Sequence, residues 1–272
     1  MEERTKMRLC SIASGSSGNC IYVGSEAAHL LVDVGISGKR IEKGLRELGL
    51  TGKDIDGILI THEHADHIQG LGVIARKFEI PVYATEGTIR AIKDCEGLGK
   101  VDGELFQTIQ EDRKFTIKDL TVNSMRISHD AAQPVGYRIA YGSKKVAVCT
   151  DLGVYNEYTV ECLKGMDALL LEANHDVNML QVGPYPYYLK QRILGDRGHL
   201  SNENAGRLLS RILHDELQTV LLGHLSKENN LPELAFESVR MEINMGDNPY
   251  AAGDFDIRVA GRSELSPVIH IS

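Results

Sequence analysis

The sequence of 272 residues predicts an α/β fold, a four-layer αββα sandwich in which two mixed β-sheets pack face to face between outer helices. Two observations predict this class. Strands dominate the start of each half of the chain and each half ends in helices, so the two halves are alike in pattern. In addition, no repeat, low-complexity tract or linker interrupts the chain, which favours a single domain over residues 1–272.

In the first half, short apolar runs bounded by turn residues predict strands, and apolar residues at helical spacing predict helices. The predicted strands are 8–13, 20–23, 29–33, 57–61 and 81–84, with a tight Gly/Ser turn over 14–19 between the first two. The predicted helices are 37–48, 65–78 and 85–94. The first of these helices places Ile41, Leu45 and Leu48 on one face and stops at Gly49.

The second half repeats this order of strands followed by helices. The predicted strands are 115–117, 120–127, 135–140, 145–149, 167–171, 218–222 and 255–259. Helices are predicted over 156–163, from an N-cap at Ser201, and over 232–242.

The composition limits the class of protein. Hydrophobic residues make up 42% of the chain and charged residues 25%, which is typical of a soluble globular protein and excludes a disordered or collagenous one. Apolar runs such as 168–171 are far shorter than the roughly 20 residues that cross a bilayer, so no membrane partner is expected. The N-terminus is charged and no apolar segment follows it, so we expect no signal peptide and a cytoplasmic location.

The formal net charge of −8 argues against nonspecific nucleic-acid binding, although it leaves room for a local basic groove. The five cysteines include no CxxC pair and lie among small or apolar residues. Reduced thiols in a reducing compartment are therefore expected.

A cluster of metal-ligand residues, Thr61-His-Glu-His-Ala-Asp-His67, lies where an apolar strand gives way to a helix. In extended backbone His62 and His64 point to the same side, because side chains alternate along a strand. The following helix turns Asp66 and His67 toward a second point nearby. Imidazole and carboxylate ligands suit zinc, manganese or iron, and four ligands within six residues exceed what one metal takes from one loop.

Further ligand types stand at the ends of other predicted strands. Asp33, His129, Asp151 and His224 each follow an apolar strand. A lone His or Asp in such a place is often a cap or a turn residue. Four of them in a chain that also carries HxHxDH are better interpreted as one site.

With these motifs the chain resembles the metallo-β-lactamase superfamily. The resemblance implies the αββα sandwich with its site at one edge between the sheets. It further implies two divalent metal ions, one held by three histidines and the other by one aspartate and two histidines, with a bridging aspartate between them. The implied ligands are His62, His64 and His129 for the first ion, Asp66, His67 and His224 for the second, and Asp151 as the bridge. Asp33 is implied as support behind these ligands.

The identity of the bridging residue helps to choose a branch. The commonest zinc β-lactamases place a Cys where this chain has Asp151, and flavodiiron oxidoreductases use a Glu where it has His64, so hydrolysis is preferred. The stretches 14–19, 171–176, 185–192 and 198–203 are similar to the YycJ (WalJ) family, which is related to the RNase Z and β-CASP nucleases. This similarity implies a DNA exonuclease acting in the 5′ to 3′ direction.

The stretch 184–203 also suits phosphate chemistry. Its cations Lys190, Arg192 and Arg197 are candidate substrate contacts, as are Ser201 and Asn202 because a helix N-terminus attracts anions. The tyrosines within 184–188 offer stacking faces, with packing in the core as the favoured alternative. For Lys190 and Arg192 a solvated basic turn is an equal alternative.

The expected reaction is phosphodiester hydrolysis, with water activated by two metals roughly 3.5–4 Å apart. Asp66, His199 and His175 are the expected catalytic residues, either histidine protonating the leaving oxygen unless it is structural. DNA ends are the expected partner. Two alternatives stay open: thioester or lactam hydrolysis of the glyoxalase II or β-lactamase kind, and a non-enzymatic, metal-stabilised regulatory scaffold.

Overall fold

In the computed structural model, which describes residues 6–99 and 101–272, the two halves of the chain each build most of one seven-stranded mixed sheet. The strands of the first half are β1 (Met7–Ala13), β2 (Cys20–Gly24), β3 (His29–Val32), β4 (Gly57–Leu59), β5 (Val82–Thr85) and β6 (Phe106–Ile109). The remaining strands are β7 (Lys114–Ile117), β8 (Leu120–Arg126), β9 (Val135–Tyr141), β10 (Lys144–Cys149), β11 (Ala168–Glu172), β12 (Thr219–Gly223), β13 (Asp256–Val259) and β14 (Ile269–Ile271).

The two sheets have matching topologies. The first has the order β14-β1-β2-β3-β4-β5-β6, antiparallel from β14 to β3 and parallel from β3 to β6. The second has the order β13-β12-β11-β10-β9-β8-β7, parallel from β13 to β10 and antiparallel from β10 to β7. Each parallel part directs several strand ends to one edge, which is where loop residues from different strands meet.

Helices cover the outer face of each sheet. Those over the first sheet are α1 (Gly38–Glu47), α2 (Ala65–Ile68), α3 (Leu71–Phe78) and α4 (Glu86–Lys93). Those of the second half are α5 (Glu157–Leu163), α6 (Val177–Val182), α7 (Tyr187–Leu194), α8 (Asn202–Ile212) and α9 (Pro232–Met245). One apolar cluster lies between the sheets and one lies under each helical layer, so the predicted αββα sandwich is confirmed.

The prediction of one continuous helix over 65–78 is wrong, because the chain breaks into α2 and α3 at Gly70. The Asp66 carbonyl accepts the Asn19 N–H at 2.8 Å, while the Gly70 N–H donates to the Val34 carbonyl at 2.8 Å. These bonds to neighbouring loops replace the bond within the helix that would join Gly70 to Asp66. Through these two hydrogen bonds the HxHxDH segment contacts the loops that follow β1 and β3.

The sequence analysis also missed four elements, β6, β14, α6 and α7. All are short, and β6 and β14 are edge strands with little alternation in their sequence. Residues 1–5, which include most of the charged N-terminus, lie outside the described part of the chain, and the single-domain interpretation stays a prediction. The cysteines are free thiols, four buried and Cys95 half-buried. Among the described residues, no helix has the length and apolar character to span a membrane.

Candidate metal centre

Strand ends from both sheets deliver polar side chains to one edge of the sandwich. Asp33 follows β3, His62 and His64 follow β4, and Asp151 and His224 follow β10 and β12. Asp33, Asp151 and His224 have φ angles of 59°, 58° and 54°. Such left-handed backbone is strained for residues other than glycine, and it is typical of functional sites where the surrounding fold fixes the conformation.

Two groups of candidate ligands form at this edge. Within each group the ligand atoms lie within 4.8 Å of one another. The three-histidine site consists of His62, His64 and His129. The carboxylate site consists of Asp66, His67 and His224. Asp151 lies between them, with Oδ1 3.6 Å from His129 Nε2 and Oδ2 3.1 Å from His67 Nε2. The structure thus brings together all seven residues predicted as metal ligands.

The hydrogen bonds of the imidazole rings show that the centre fits cations. The Nδ1 hydrogens of His62, His67, His129 and His224 are directed at the Thr61 hydroxyl, Asp33, the Gly198 carbonyl and Glu172, respectively. In its neutral form each of these rings therefore presents Nε2 to the centre as an acceptor. His62 Nε2, His224 Nε2 and Asp151 Oδ2 are buried with no hydrogen-bond partner.

The ring nitrogens lie close to other ligand atoms. His129 Nε2 lies 3.2 Å from His64 Nδ1, which is a hydrogen-bond distance, and His224 Nε2 lies 3.4 Å from an oxygen of Asp66. Each of these contacts needs a hydrogen or a cation between its two atoms, because two lone pairs at such distances repel each other. Divalent metal ions satisfy every one of these atoms, so the residues present fit a metal centre.

The electrostatics also require positive charge. Burial works against ionisation of Asp151, but His224 and His67 hold the pKa of its carboxyl well below the usual range. Burial works equally against charged imidazoles, yet carboxylates led by Asp151 raise the pKa of His67 and of His224 well above the ordinary value. Either protons on these two rings or metal cations supply the charge, so metal binding releases protons.

Asp33 supports the centre from behind, as its predicted role requires. Its carboxylate accepts the Nδ1 hydrogen of His67 at 2.7 Å and also binds the backbone N–H and hydroxyl of Thr61, each at 2.8 Å. The Gly/Ser turn over 14–19 adds a second support, because Ser14 Oγ accepts the His224 N–H at 2.8 Å. These bonds fix the orientation of ligand rings before any metal binds.

Glu172 is a functional residue that the sequence analysis missed. It ends β11, is fully buried, and accepts hydrogen bonds from His224 Nδ1 at 3.0 Å and from His199 Nδ1 at 2.8 Å. It also accepts the backbone N–H of Leu152 at 2.8 Å. The available signal was the one used for the other ligands, a carboxylate at the end of an apolar strand.

His199 and His175, the two predicted catalytic histidines, have different environments. The His199 side chain is 18% exposed, and its ring packs against His129 and His224 with centroid distances of 5.2 and 5.3 Å. His175 is 1% exposed, and burial lowers its pKa to about 4. A substrate arriving from solvent reaches the ring of His199 but not that of His175.

Ser201 and Asn202 also lie inside the protein. Ser201 caps α8 through the Asn204 N–H, and Asn202 is buried against Asn230. Because internal groups occupy their polar atoms, neither residue forms part of the surface around the metal centre.

The three predicted cations have separate environments. Lys190 donates to the Gln181 and Gly183 carbonyls at 2.7 Å each, and Arg197 donates to the His129 carbonyl at 3.0 Å. Arg192 alone extends to the metal centre, where it forms a bidentate pair with Asp130. Asp130 in turn lies 3.5 Å from His129 Nε2.

The favoured interpretation of the tyrosines as core residues is wrong for two of them. Tyr187 and Tyr188 are 76% and 73% exposed at the start of α7. Of the eight residues of this helix only Ile193 is buried, so the helix contacts the core through a single side chain and leaves both rings in solvent.

A four-layer sandwich that gathers histidines and aspartates at one edge between its sheets defines the class, a metal-binding protein of the metallo-β-lactamase fold. Residues 29–224 match the family model described as the beta-lactamase superfamily domain, and the chain belongs to this superfamily.

Two curated relatives are similar over most of their length. Exodeoxyribonuclease YycJ of Bacillus anthracis is 43% identical over 84% of this chain and 86% of its own. Exodeoxyribonuclease WalJ of Streptococcus pneumoniae is 42% identical over 87% of this chain and 88% of its own. The metallo-β-lactamase fold protein YhfI from Bacillus subtilis shares the fold, with a TM-score of 0.70 at 18% identity over 98% of this chain and 100% of YhfI. The prediction of an enzyme of this superfamily is confirmed.

Proposed function

We propose that this chain is a metal-dependent exodeoxyribonuclease that hydrolyses phosphodiester bonds from DNA ends in the 5′ to 3′ direction. The observation that carries the proposal is the 42–43% identity to YycJ and WalJ over 84–87% of the chain. The complete ligand set at the strand ends supports it. A cytoplasmic location stays a prediction.

We assign two divalent metal ions to the centre, one in the three-histidine site and one in the carboxylate site, with Asp151 between them. Mixed imidazole and carboxylate ligands suit zinc, manganese and iron alike. When bound, the ions supply an activated water and neutralise charge on the phosphate. The protein's own contribution is to hold seven ligands in fixed orientation through Asp33, Glu172 and the loop backbones.

His199 is the proposed proton donor to the leaving oxygen. Its Nδ1 is held by Glu172 at 2.8 Å, which leaves Nε2 for the substrate. The carboxylate fixes the tautomer and the plane of the ring, as a buried acid does for a catalytic histidine in other hydrolases.

Arg192 and the two exposed tyrosines are the proposed substrate contacts outside the ligand set. The Arg192 side chain is 49% exposed, so its guanidinium can exchange Asp130 for a phosphate. Tyr187 and Tyr188 lie on the same helix and offer faces on which bases stack. Lys190 and Arg197 are not among these contacts, because their side chains bind backbone carbonyls of neighbouring loops.

The proposal is tested with purified protein, Mn²⁺ and end-labelled duplex DNA that is blocked at either the 5′ or the 3′ end. Digestion of the 3′-blocked but not the 5′-blocked duplex is expected, and the opposite pattern would overturn the direction. The Asp66→Ala variant is the control and should leave both duplexes intact.

A lactoylglutathione-type thioester is assayed in parallel, because a related hydrolase of small molecules would use the same ligands. Turnover of the thioester with intact DNA contradicts the nuclease assignment. Absence of turnover on both substrates favours a regulatory scaffold.

A further inference from the structure

A cluster of positively charged side chains lies on the second sheet, at the end of the strands that is distant from the metal centre. Cross-strand register places Lys114 beside Asn123, and Asn123 beside Arg138, so all three side chains lie on one face. Lys145 lies on the same face, because it pairs with Ala140 and is two residues from the partner of Arg138. Four neighbouring strands thus contribute to one patch.

These residues line a cavity of about 320 Å³. Its floor includes Thr121 and Ala140, which are too small to fill the space between the long cationic side chains. Helix α5 covers the part of this face nearer the metal centre and ends at Leu163. The cavity therefore lies beyond the C-terminal end of α5 on this face.

Three positive groups of the cavity have no carboxylate partner within the described part of the chain. The ammonium groups of Lys114 and Lys145 pair with no carboxylate there. Arg138 makes one hydrogen bond, from Nη1 to the Cys162 carbonyl at 3.4 Å, and its Nε is buried with no partner. The amide oxygen of Asn123 is also buried and unpartnered.

Two carboxylates lie nearby, and both are already occupied. Glu161 pairs with Lys164 at 2.6 Å on the rim, and the exposure of both side chains makes that pair weak. Asp167 is bound by the Lys144 ammonium at 3.0 Å and by the Lys145 backbone N–H at 2.8 Å. Lys114, Arg138 and Lys145 therefore form an uncompensated cluster in a chain of net charge −8.

The chemistry of this cluster matches a phosphate group. A guanidinium and two ammonium groups donate charge-assisted hydrogen bonds to phosphate oxygens, and the Asn123 amide, turned by half a rotation, adds an N–H donor. A ligand of this kind would satisfy the buried Nε and relieve the repulsion among the cations.

We propose that Lys114, Asn123, Arg138 and Lys145 form a second phosphate site that holds the backbone of the DNA whose end lies at the metal centre. This inference rests on the proposed function. Lys145 precedes Asp151 by six residues along β10 and its end, which corresponds to about 20 Å at roughly 3.3 Å per residue. A duplex has about 3.4 Å of helix axis for each phosphate of one strand, so along a duplex this distance corresponds to about six nucleotides from the end.

The test compares the double variant K114E/K145E with the control K39E/K43E, which makes the same change in net charge at exposed positions of α1. Binding of phosphorothioate DNA of 3 to 20 nucleotides to the metal-loaded protein is measured by fluorescence anisotropy. Hydrolysis of bis(p-nitrophenyl) phosphate reports on the metal centre independently of the cavity.

For K114E/K145E we expect at least tenfold weaker binding of the longer DNA, unchanged binding of the trinucleotide, and unchanged ester hydrolysis. The slope of log affinity against log salt concentration should fall by about two, since each lost phosphate contact removes about one. Equal loss at all lengths, or equal loss in the control, would overturn the proposal.

Further outcomes separate this site from the proposed function and from a free-anion site. If the wild-type protein hydrolyses the ester but leaves DNA intact, the exonuclease proposal fails, and a selective loss of long-DNA binding in K114E/K145E still supports the cavity. Loss of pyrophosphate binding with unchanged DNA binding assigns the cavity to a free anion and overturns the DNA assignment.

Discussion

The three-histidine site and the carboxylate site lie side by side, but different groups hold their imidazole rings. In the three-histidine site, His62 and His129 donate to a hydroxyl and a backbone carbonyl, both neutral, and the His64 side chain is 29% exposed. In the carboxylate site, both rings donate to carboxylates and are almost fully buried. A carboxylate behind a ligand histidine raises the basicity of the ring and fixes its orientation. The carboxylate site should therefore bind its metal more tightly.

The largest effect is expected from Asp151→Ala, since Asp151 faces both sites and its Oδ2 is buried without a partner. We expect loss of both metal ions and a fall in DNA hydrolysis of at least about a thousandfold, with the sandwich intact by circular dichroism. Metal content by mass spectrometry checks the first point. Asp256→Ala, at an exposed ion pair on β13, is the control, and an Asp151→Ala protein that keeps two metal ions would contradict the shared role.

Smaller effects are expected from Asp33→Asn and Glu172→Gln, which keep a hydrogen-bond acceptor but remove the charge behind His67 and His224. Each should weaken metal binding in the carboxylate site by about 10- to 100-fold. Glu172→Gln should leave the three-histidine site unchanged, whereas Asp33 also binds the Thr61 hydroxyl that holds His62. Competition with a chromophoric chelator measures both affinities. Equal weakening of the two sites would show that charge behind the ring does not distinguish them.

Stepwise chelation tests the same comparison without a change in sequence. As chelator is added, we expect the first metal ion to leave the three-histidine site, whose rings donate to neutral groups. The His64→Ala variant should accordingly lose the ion of the three-histidine site and retain about one tightly bound ion per chain. Simultaneous loss of both ions in either experiment would show that the two sites do not differ in metal affinity.

The smallest effect is expected from Arg192→Ala, which changes no metal ligand. We expect KM for DNA to rise about three- to tenfold, kcat to stay nearly constant, and the salt dependence of binding to fall by about one phosphate contact. Arg240→Ala, a half-exposed arginine of α9 that pairs with Glu237, is the matched control. A fall in kcat at constant KM would instead place Arg192 in the chemical step.

The structure brings the candidate metal ligands together but not most of the candidate substrate contacts, for a physical reason. Ligands such as Asp151 and His224 stand at the ends of apolar strands, and strand ends of a parallel sheet meet at one edge whatever the details of packing. Whether a residue contacts the substrate depends on the orientation of its side chain in the folded protein. Lys190, Arg197, Ser201 and Asn202 all carry suitable groups, but in the folded chain these groups bind internal partners.

The fold was likewise predictable wherever local pattern decides it. Strand and helix positions followed apolar periodicity, but the predicted helix over 65–78 is broken because bonds to Asn19 and Val34 replace those within the helix. Such long-range hydrogen bonds leave no local signal in the sequence. Glu172 does carry a local signal, since it stands at the end of an apolar strand, but its role depends on His199 and His224 meeting at its carboxylate.

By itself, then, the sequence predicted the αββα architecture and placed seven candidate ligands and Asp33 in one site, because periodicity and strand ends are local properties of the chain and the motifs resemble those of a known superfamily. Only the tertiary structure decided which histidine faces solvent, which cations remain free and how the two metal sites differ. It also formed the cationic cavity, since Lys114, Asn123, Arg138 and Lys145 become neighbours only through the register of four strands. Register depends on packing between distant segments, which no single stretch of sequence specifies.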